Sequence, residues 1–227
     1  MAGCKVKLCG TTSVADRDMA AHASADWFGV VVETDFSPRS LTIEAARPLF
    51  AEPPIPAVAL VFEMPENRLR ELIETLAPTA VQFLNLEDPA SLKRLKTDYP
   101  EVELWQSVHL PPAGSEVSLD SVQEVVQDYI AAGIDLLLFD TAATVDGKKK
   151  FGGTGITADW DVIRLALNAI RGQVPVLLAG GINPENAAAG INAVQPDGID
   201  LCSGVEAQPG VRDPIKVQAL MTAVGAS

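Results

Sequence analysis

The chain has 227 residues, 48% of them hydrophobic and 21% charged, a composition too apolar for a disordered chain and large enough to bury a sizeable core. With 17 Lys plus Arg against 30 Asp plus Glu, the formal net charge is −13, and a field of that sign argues against nucleic acid as a partner. No stretch approaches the roughly 18 to 20 uninterrupted apolar residues of a membrane span, and the opening MAGCKVKLCG has no signal-peptide pattern, so a cytoplasmic protein with no membrane partner is expected.

Short runs rich in Val, Ile and Leu recur along the chain, each followed by a longer stretch with helical spacing. KVKLCG from Lys5 is followed by a helix capped by Ser13 and reaching about Ser24. WFGVVV from Trp27 leads to a helix from Thr42 through Ala51, and PAVALVF from Pro56 to one from Pro65-Glu66 to about Leu76. AVQFLN from Ala80 precedes a helix starting at Asp88-Pro89, and VELWQSV from Val102 precedes Ser118 to Ala132. IDLLLFDT from Ile134 is paired with Thr157 to Ile170, VPVLLAG from Val174 with a helix from Pro184 onward, and GIDLCSG from Gly198 with one from Asp213-Pro214. Near-continuous apolar runs are what strands buried on both faces require, and eight βα units fit an α/β protein of the (β/α)8 TIM-barrel class, a single domain over residues 1–227. An open doubly wound sheet would usually show G-x-G-x-x-G after its first strand, and CGTTSVAD is not that pattern.

In such a barrel, chemistry sits at the carboxyl ends of the strands. The polar residues there are Cys9, Arg39, Asn85, His109, Asp140, Gly180-Gly181 and Ser203-Gly204. Three glycine turns, GGTG with Gly153 and Gly155, AGGI with Gly180 and Gly181, and SGVE with Ser203 and Gly204, expose backbone N–H groups on the last three loops and point to a small phosphorylated substrate. Cys9 and Asp140 suit a general base and general acid for proton transfer beside a carbonyl or imine; from the residues alone they also read as a buried small hydrophobe and a loop-capping carboxylate. Arg39, in SPRS, reads as a bidentate clamp for a substrate carboxylate or as a solvated loop arginine.

Other residues carry weaker readings. Lys148, Lys149 and Lys150 read as a solvated face of a long loop, or as an electrostatic funnel. His22 reads as structural and His109 as a residue within possible reach of substrate. Cys4 and Cys202, the latter placed inside the eighth strand, read as packing thiols. Three cysteines at no metal-like spacing and two distant histidines suggest neither a disulfide framework nor a metal site.

Taken in order, K-L-C-G at Lys7, S-P-R at Ser37, L-L-F-D at Leu137, F-G-G-T-G at Phe151 followed by Asp159-Trp160, A-G-G-I-N-P-E-N at Ala179 and S-G-V-E at Ser203 resemble the phosphoribosylanthranilate isomerase family of tryptophan biosynthesis. The resemblance runs over nearly the whole chain. It implies an Amadori rearrangement of N-(5'-phosphoribosyl)anthranilate to 1-(2-carboxyphenylamino)-1-deoxyribulose 5-phosphate, with no cofactor and no metal, by a protein that is a monomer or a homodimer. It assigns Asp140 as the acid that opens the ribose ring, Cys9 as the base that takes the C2 proton, and Arg39 as the holder of the anthranilate carboxylate. The phosphate falls to Gly180, Gly181, Ser203 and Gly204, with Gly153 and Gly155 in the sixth loop. One departure is at the fourth strand, which reads Gln82-Phe83-Leu84-Asn85 where the family has a Gln-Leu-His-Gly-like end. Alternative readings are an isomerase for another phosphorylated sugar and a non-catalytic phosphometabolite-binding relative.

Overall fold

The computed structural model describes residues 3–145, 148–151, 157 and 159–225, with only the backbone of 142–145 and 148–151. Strands β1 (Lys5–Leu8), β2 (Trp27–Val31), β3 (Ala57–Val61), β4 (Ala80–Phe83), β5 (Glu103–Leu110) and β6 (Leu136–Val145) pair in parallel in sequence order. After a short strand β7 (Lys148–Phe151), β8 (Val176–Leu178) joins β6 and β9 (Gly198–Leu201) joins β8. Pairing of β9 with β1, with Lys7 opposite Asp200, closes the cylinder and confirms the expected TIM barrel.

Helices α1 (Val14–His22), α2 (Ile43–Phe50), α3 (Glu66–Leu76), α4 (Pro89–Asp98), α5 (Leu119–Ala132), α6 (Trp160–Ile170), α7 (Ala187–Val194) and α8 (Pro214–Gly225) fill the crossovers. Their starts are chemically encoded: Ser13, Thr42, Asp88 and Ser118 each accept a first-turn N–H with their side-chain oxygen. Two boundaries move from expectation. α6 begins at Trp160 rather than Thr157, because Asp159 accepts from the Asp161 and Val162 N–H groups, and α7 begins at Ala187 rather than Pro184.

Two apolar cores follow from the period-two alternation of strands covered on both faces. Val6, Leu8, Phe28, Val30, Phe139, Ile199 and Leu201 point outward under the helices. Val58, Leu60, Trp105, Leu136, Leu138 and Leu177 fill the barrel interior, with Trp27 edge-on to Trp105 at a centroid separation of 5.3 Å.

The lysine run is not a loop. Lys148, Lys149 and Lys150, with Phe151, form β7, antiparallel to the extension of β6, so the run lies in a paired strand and not in a loop. Two further short strands, β10 (Glu206–Gln208) and β11 (Val211–Arg212), make a hairpin after β9. Among the described residues, no helix is long and apolar enough to cross a membrane.

Candidate active site

Alternation along the strands decides what meets at the barrel mouth. Because Val6, Leu8, Phe139 and Leu201 are committed to the outer core, their neighbours Lys7, Cys9, Asp140, Asp200 and Cys202 turn inward. A cleft of about 500 Å³ opens there, a size suited to a small-molecule ligand, and Cys9, Arg39, Asp140, Gly180 and Ser203 all line it.

Asp140 comes from β6, separated from β1 by β8 and β9. Its Oδ1 accepts the Thr141 N–H at 2.6 Å, which sets the carboxyl against the cleft wall. Burial raises the Asp140 pKa from its ordinary value, opposed by the field of His109 and by the Thr141 N–H. A carboxyl whose pKa is raised toward the neutral form is what a general acid needs.

Cys9 stands just past the end of β1 and is 6% exposed. The Cys202 thiol, placed to donate to it, lowers the Cys9 pKa most; burial opposes this, and the Lys7 ammonium adds a further lowering. Cys202 is raised well above the ordinary thiol value by the same contact, so of the two thiols Cys9 is the one to ionise. Beneath them Lys7, fully buried, donates to Asp200 Oδ1 at 2.9 Å, and Asp200 itself lines the cleft.

Arg39, from the loop after β2, is neither solvated nor empty-handed. Its Nε donates to Glu206 Oε1 at 2.7 Å and its Nη2 to Oε2 at 2.5 Å, both groups being largely buried. This fork uses two of the five guanidinium N–H donors and leaves three for a ligand anion. Next to it Phe36, on the cleft wall, meets Phe62 edge to face at 5.0 Å, so an apolar aromatic surface adjoins the cation.

The turns after β8 and β9 form the other wall. Gly180 and Gly181 have φ of +79° and +68°, the left-handed region that favours glycine. A Cβ on Gly180 would strike the Thr141 hydroxyl and lie 2.7 Å from the Thr141 nitrogen and 2.9 Å from Asp140 Oδ1. The following residues hold this turn: Asn186 donates to the Gly181 carbonyl at 3.0 Å and accepts the Asn183 N–H at 2.9 Å. Ser203 opens a 3-10 turn, Ser203–Val205, on the cleft wall. Gly204 lies behind it, where a Cβ would collide with the Ile182 carbonyl. Gly153 and Gly155 lie outside the described residues.

The structure also sorts the remaining strand-end residues. Asn85 is a tether, accepting the Glu63 N–H at 2.9 Å and donating to Glu87 at 3.0 Å. His109 stands opposite Asp140 on β5 and contacts the Leu84 carbonyl through Nε2 at 2.7 Å, behind the cleft lining. His22 is exposed and contacts the Asp18 carbonyl of its own helix. Cys202 is not inside a strand: β9 ends at Leu201, and the thiol turns into the cleft beside Cys9. Lys7, Asp200 and Glu206 were missed by the motif reading. The signal for the first two is a charge inside an apolar strand at the same parity as a candidate base: Lys7 two before Cys9, Asp200 two before Cys202.

Comparison with known proteins bears on the same residues. The family model described as N-(5'phosphoribosyl)anthranilate (PRA) isomerase matches residues 6–223. The N-(5'-phosphoribosyl)anthranilate isomerase of Methanocella arvoryzae is 37% identical over 212 residues, covering 92% of each chain. The phosphoribosyl anthranilate isomerase structure from Thermococcus kodakaraensis superposes with a TM-score of 0.76 at 27% identity, covering 98% of this chain and 99% of that one. The Pyrococcus furiosus structure reaches 0.80 at 24% identity over 99% and 100%, which speaks to the fold. With a family match spanning both the Cys9 and the Asp140 ends of the barrel, the chain belongs to the N-(5'-phosphoribosyl)anthranilate isomerase family.

Proposed function

We propose that Asp140 and Cys9 are the acid and base of the isomerisation this family performs. The reaction is an intramolecular aldose-to-ketose rearrangement in tryptophan biosynthesis, N-(5'-phosphoribosyl)anthranilate becoming 1-(2-carboxyphenylamino)-1-deoxyribulose 5-phosphate. Asp140 donates a proton to the ribose ring oxygen as the C1–O bond breaks, leaving an iminium between C1 and the anthranilate nitrogen. That iminium acidifies the C2 proton, and the Cys9 thiolate removes it. Electrons move into the C1–C2 bond and onto nitrogen, and the resulting enolamine tautomerises to the ketone.

The observation that carries this reading is the shared cleft: a carboxyl pushed toward the neutral form and a thiol drawn toward the ionised form line one cavity with two glycine turns. The substrate orients accordingly. Its phosphate lies against Gly180, Gly181, Ser203 and Gly204, where peptide dipoles bind an anion despite the overall charge of −13. Its anthranilate ring rests by Phe36 with the carboxylate on the remaining Arg39 donors.

The test generates phosphoribosylanthranilate in situ from anthranilate and phosphoribosyl pyrophosphate with a separate transferase and follows loss of its fluorescence. Wild-type protein is expected to remove it rapidly, and Cys9→Ala and Asp140→Asn to slow removal by about 100- to 10,000-fold. Activity persisting in the Cys9→Ala, Asp140→Ala double variant would exclude this acid–base assignment.

A further inference from the structure

Lys7 is completely buried inside the barrel, an expensive place for an ammonium group unless a partner neutralises it. Asp200 is that partner, opposite Lys7 in the β1–β9 register and bonded to it at 2.9 Å. A hydrophobic pair would fill the same space, so stability alone does not account for two charges here.

The position of the pair is informative. Lys7 precedes Cys9 by two residues, so both side chains leave β1 on its inner face. They run together over Gly29 of β2: a Cβ there would lie 3.0 Å from Cys9 Sγ and 3.1 Å from Lys7 Cε. The space that glycine leaves open is thus shared by the thiol and the end of the lysine chain. We propose that Lys7 is a positioning residue for the reaction's base, its ammonium held by Asp200 alongside the Cys9 sulfur. The inference builds on the assignment of Cys9 as base in the preceding subsection.

Every charged element around the sulfur enters the balance. From β9, the Asp200 carboxylate repels the thiolate, and from the turn that follows β9 the Cys202 thiol is placed to donate. From the loop after β2 and from β11, the Arg39 and Arg212 guanidinium groups add positive charge, and Arg212 also donates to the Cys9 carbonyl at 2.9 Å. From β3, the neighbour over Gly29 is the apolar Leu60. Within the ion pair, the lowering by Lys7 outweighs the raising by Asp200. Removing the two charges one at a time therefore has opposite effects on Cys9, whereas a role in stability alone would move both variants in the same direction.

The experiment measures the rate of Cys9 alkylation by iodoacetamide against pH, with mass-spectrometric peptide mapping to separate Cys9 from Cys4 and Cys202. Lys7→Met is expected to raise the midpoint by about one pH unit or more, slowing alkylation at neutral pH about tenfold. Lys7→Arg keeps the cation and is expected to keep the midpoint near wild type, while Asp200→Asn lowers it. The acidic limb of kcat/KM is expected to follow the same order. If Lys7→Met fails to fold because Asp200 is stranded, Lys7→Met with Asp200→Asn removes both charges and is still expected to raise the midpoint, by less. An unchanged midpoint in the foldable Lys7 variants, or a shift of the same sign in Lys7→Met and Asp200→Asn, would overturn the proposal. Alkylation reads the thiol whether or not it is the base, so retained turnover in Cys9→Ala would remove the acid–base reading separately.

Discussion

The Arg39 guanidinium and the Glu206 carboxylate meet in a forked pair, Nε to Oε1 at 2.7 Å and Nη2 to Oε2 at 2.5 Å, tying the loop after β2 to the hairpin after β9. The pair fixes the plane of the guanidinium and so the direction of its remaining donors. Glu206→Gln keeps the shape but halves the acceptor capacity and removes the charge. A charge-assisted contact is worth about 1.5 to 3 kcal/mol, so KM is expected to rise about 10- to 100-fold with a much smaller change in kcat. Steady-state kinetics on purified variants reads this directly, and a change in kcat alone would place Arg39 elsewhere than on the ground-state carboxylate.

Asp140 illustrates function held against stability. Its folded-state pKa is raised, chiefly by burial, so the native state binds a proton that the unfolded chain releases. Stability therefore falls as pH rises from the unfolded carboxylate value through the folded one, and the penalty is fully present above the latter. Asp140→Asn is expected to melt at a higher temperature than wild type at neutral pH while losing nearly all activity. The difference should shrink as pH is lowered through the acid range, which a series of thermal unfolding scans would follow.

The Gly180 turn couples the phosphate wall to the acid. Ala at this position meets a φ of +79° and a Cβ crowded by Thr141 and Asp140. A destabilisation of about 1 to 3 kcal/mol is expected from the strained conformation and the clash. Inorganic phosphate should inhibit wild type competitively, and this inhibition should weaken in Gly180→Ala. Inhibition of equal strength in both would move the phosphate away from this turn.

Arg212 is a structural counterpart to the site arginine. Nearly all buried, it donates to the Leu8 carbonyl at 2.7 Å, the Cys9 carbonyl at 2.9 Å and the Asp16 carbonyl at 3.1 Å. Arg212→Met would leave buried acceptors without these donors at the strand end that carries the base. Loss of about 2 to 4 kcal/mol in urea unfolding is expected, with a drop in kcat as Cys9 loses its rigid support.

Much of the architecture is legible in the amino-acid order because the signals are local. The apolar runs and the capping side chains of Ser13, Thr42, Asp88 and Ser118 all act within a few residues of themselves. The eightfold recurrence of strand and helix then leaves few ways to bury every strand on both faces, and a closed barrel is one of them. Cys9, Asp140, Arg39, Gly180 and Ser203 could be named because reactive or turn-forming residues at strand ends stand out against apolar surroundings.

What the order of residues did not disclose lies across the barrel seam. Lys7 and Asp200 are 193 residues apart and meet only when β9 closes against β1. Arg39 and Glu206, 167 residues apart, pair because the last hairpin folds over the mouth. The same closure sets Cys202 beside Cys9, and cross-strand pairing turns Lys148–Phe151 into a strand despite its charge. The sequence by itself determined the eight barrel strands and the helix caps, since apolar runs and capping are short-range physics. Only the tertiary structure decided which inward charges become neighbours, because that depends on register and closure between segments the chain separates by most of its length.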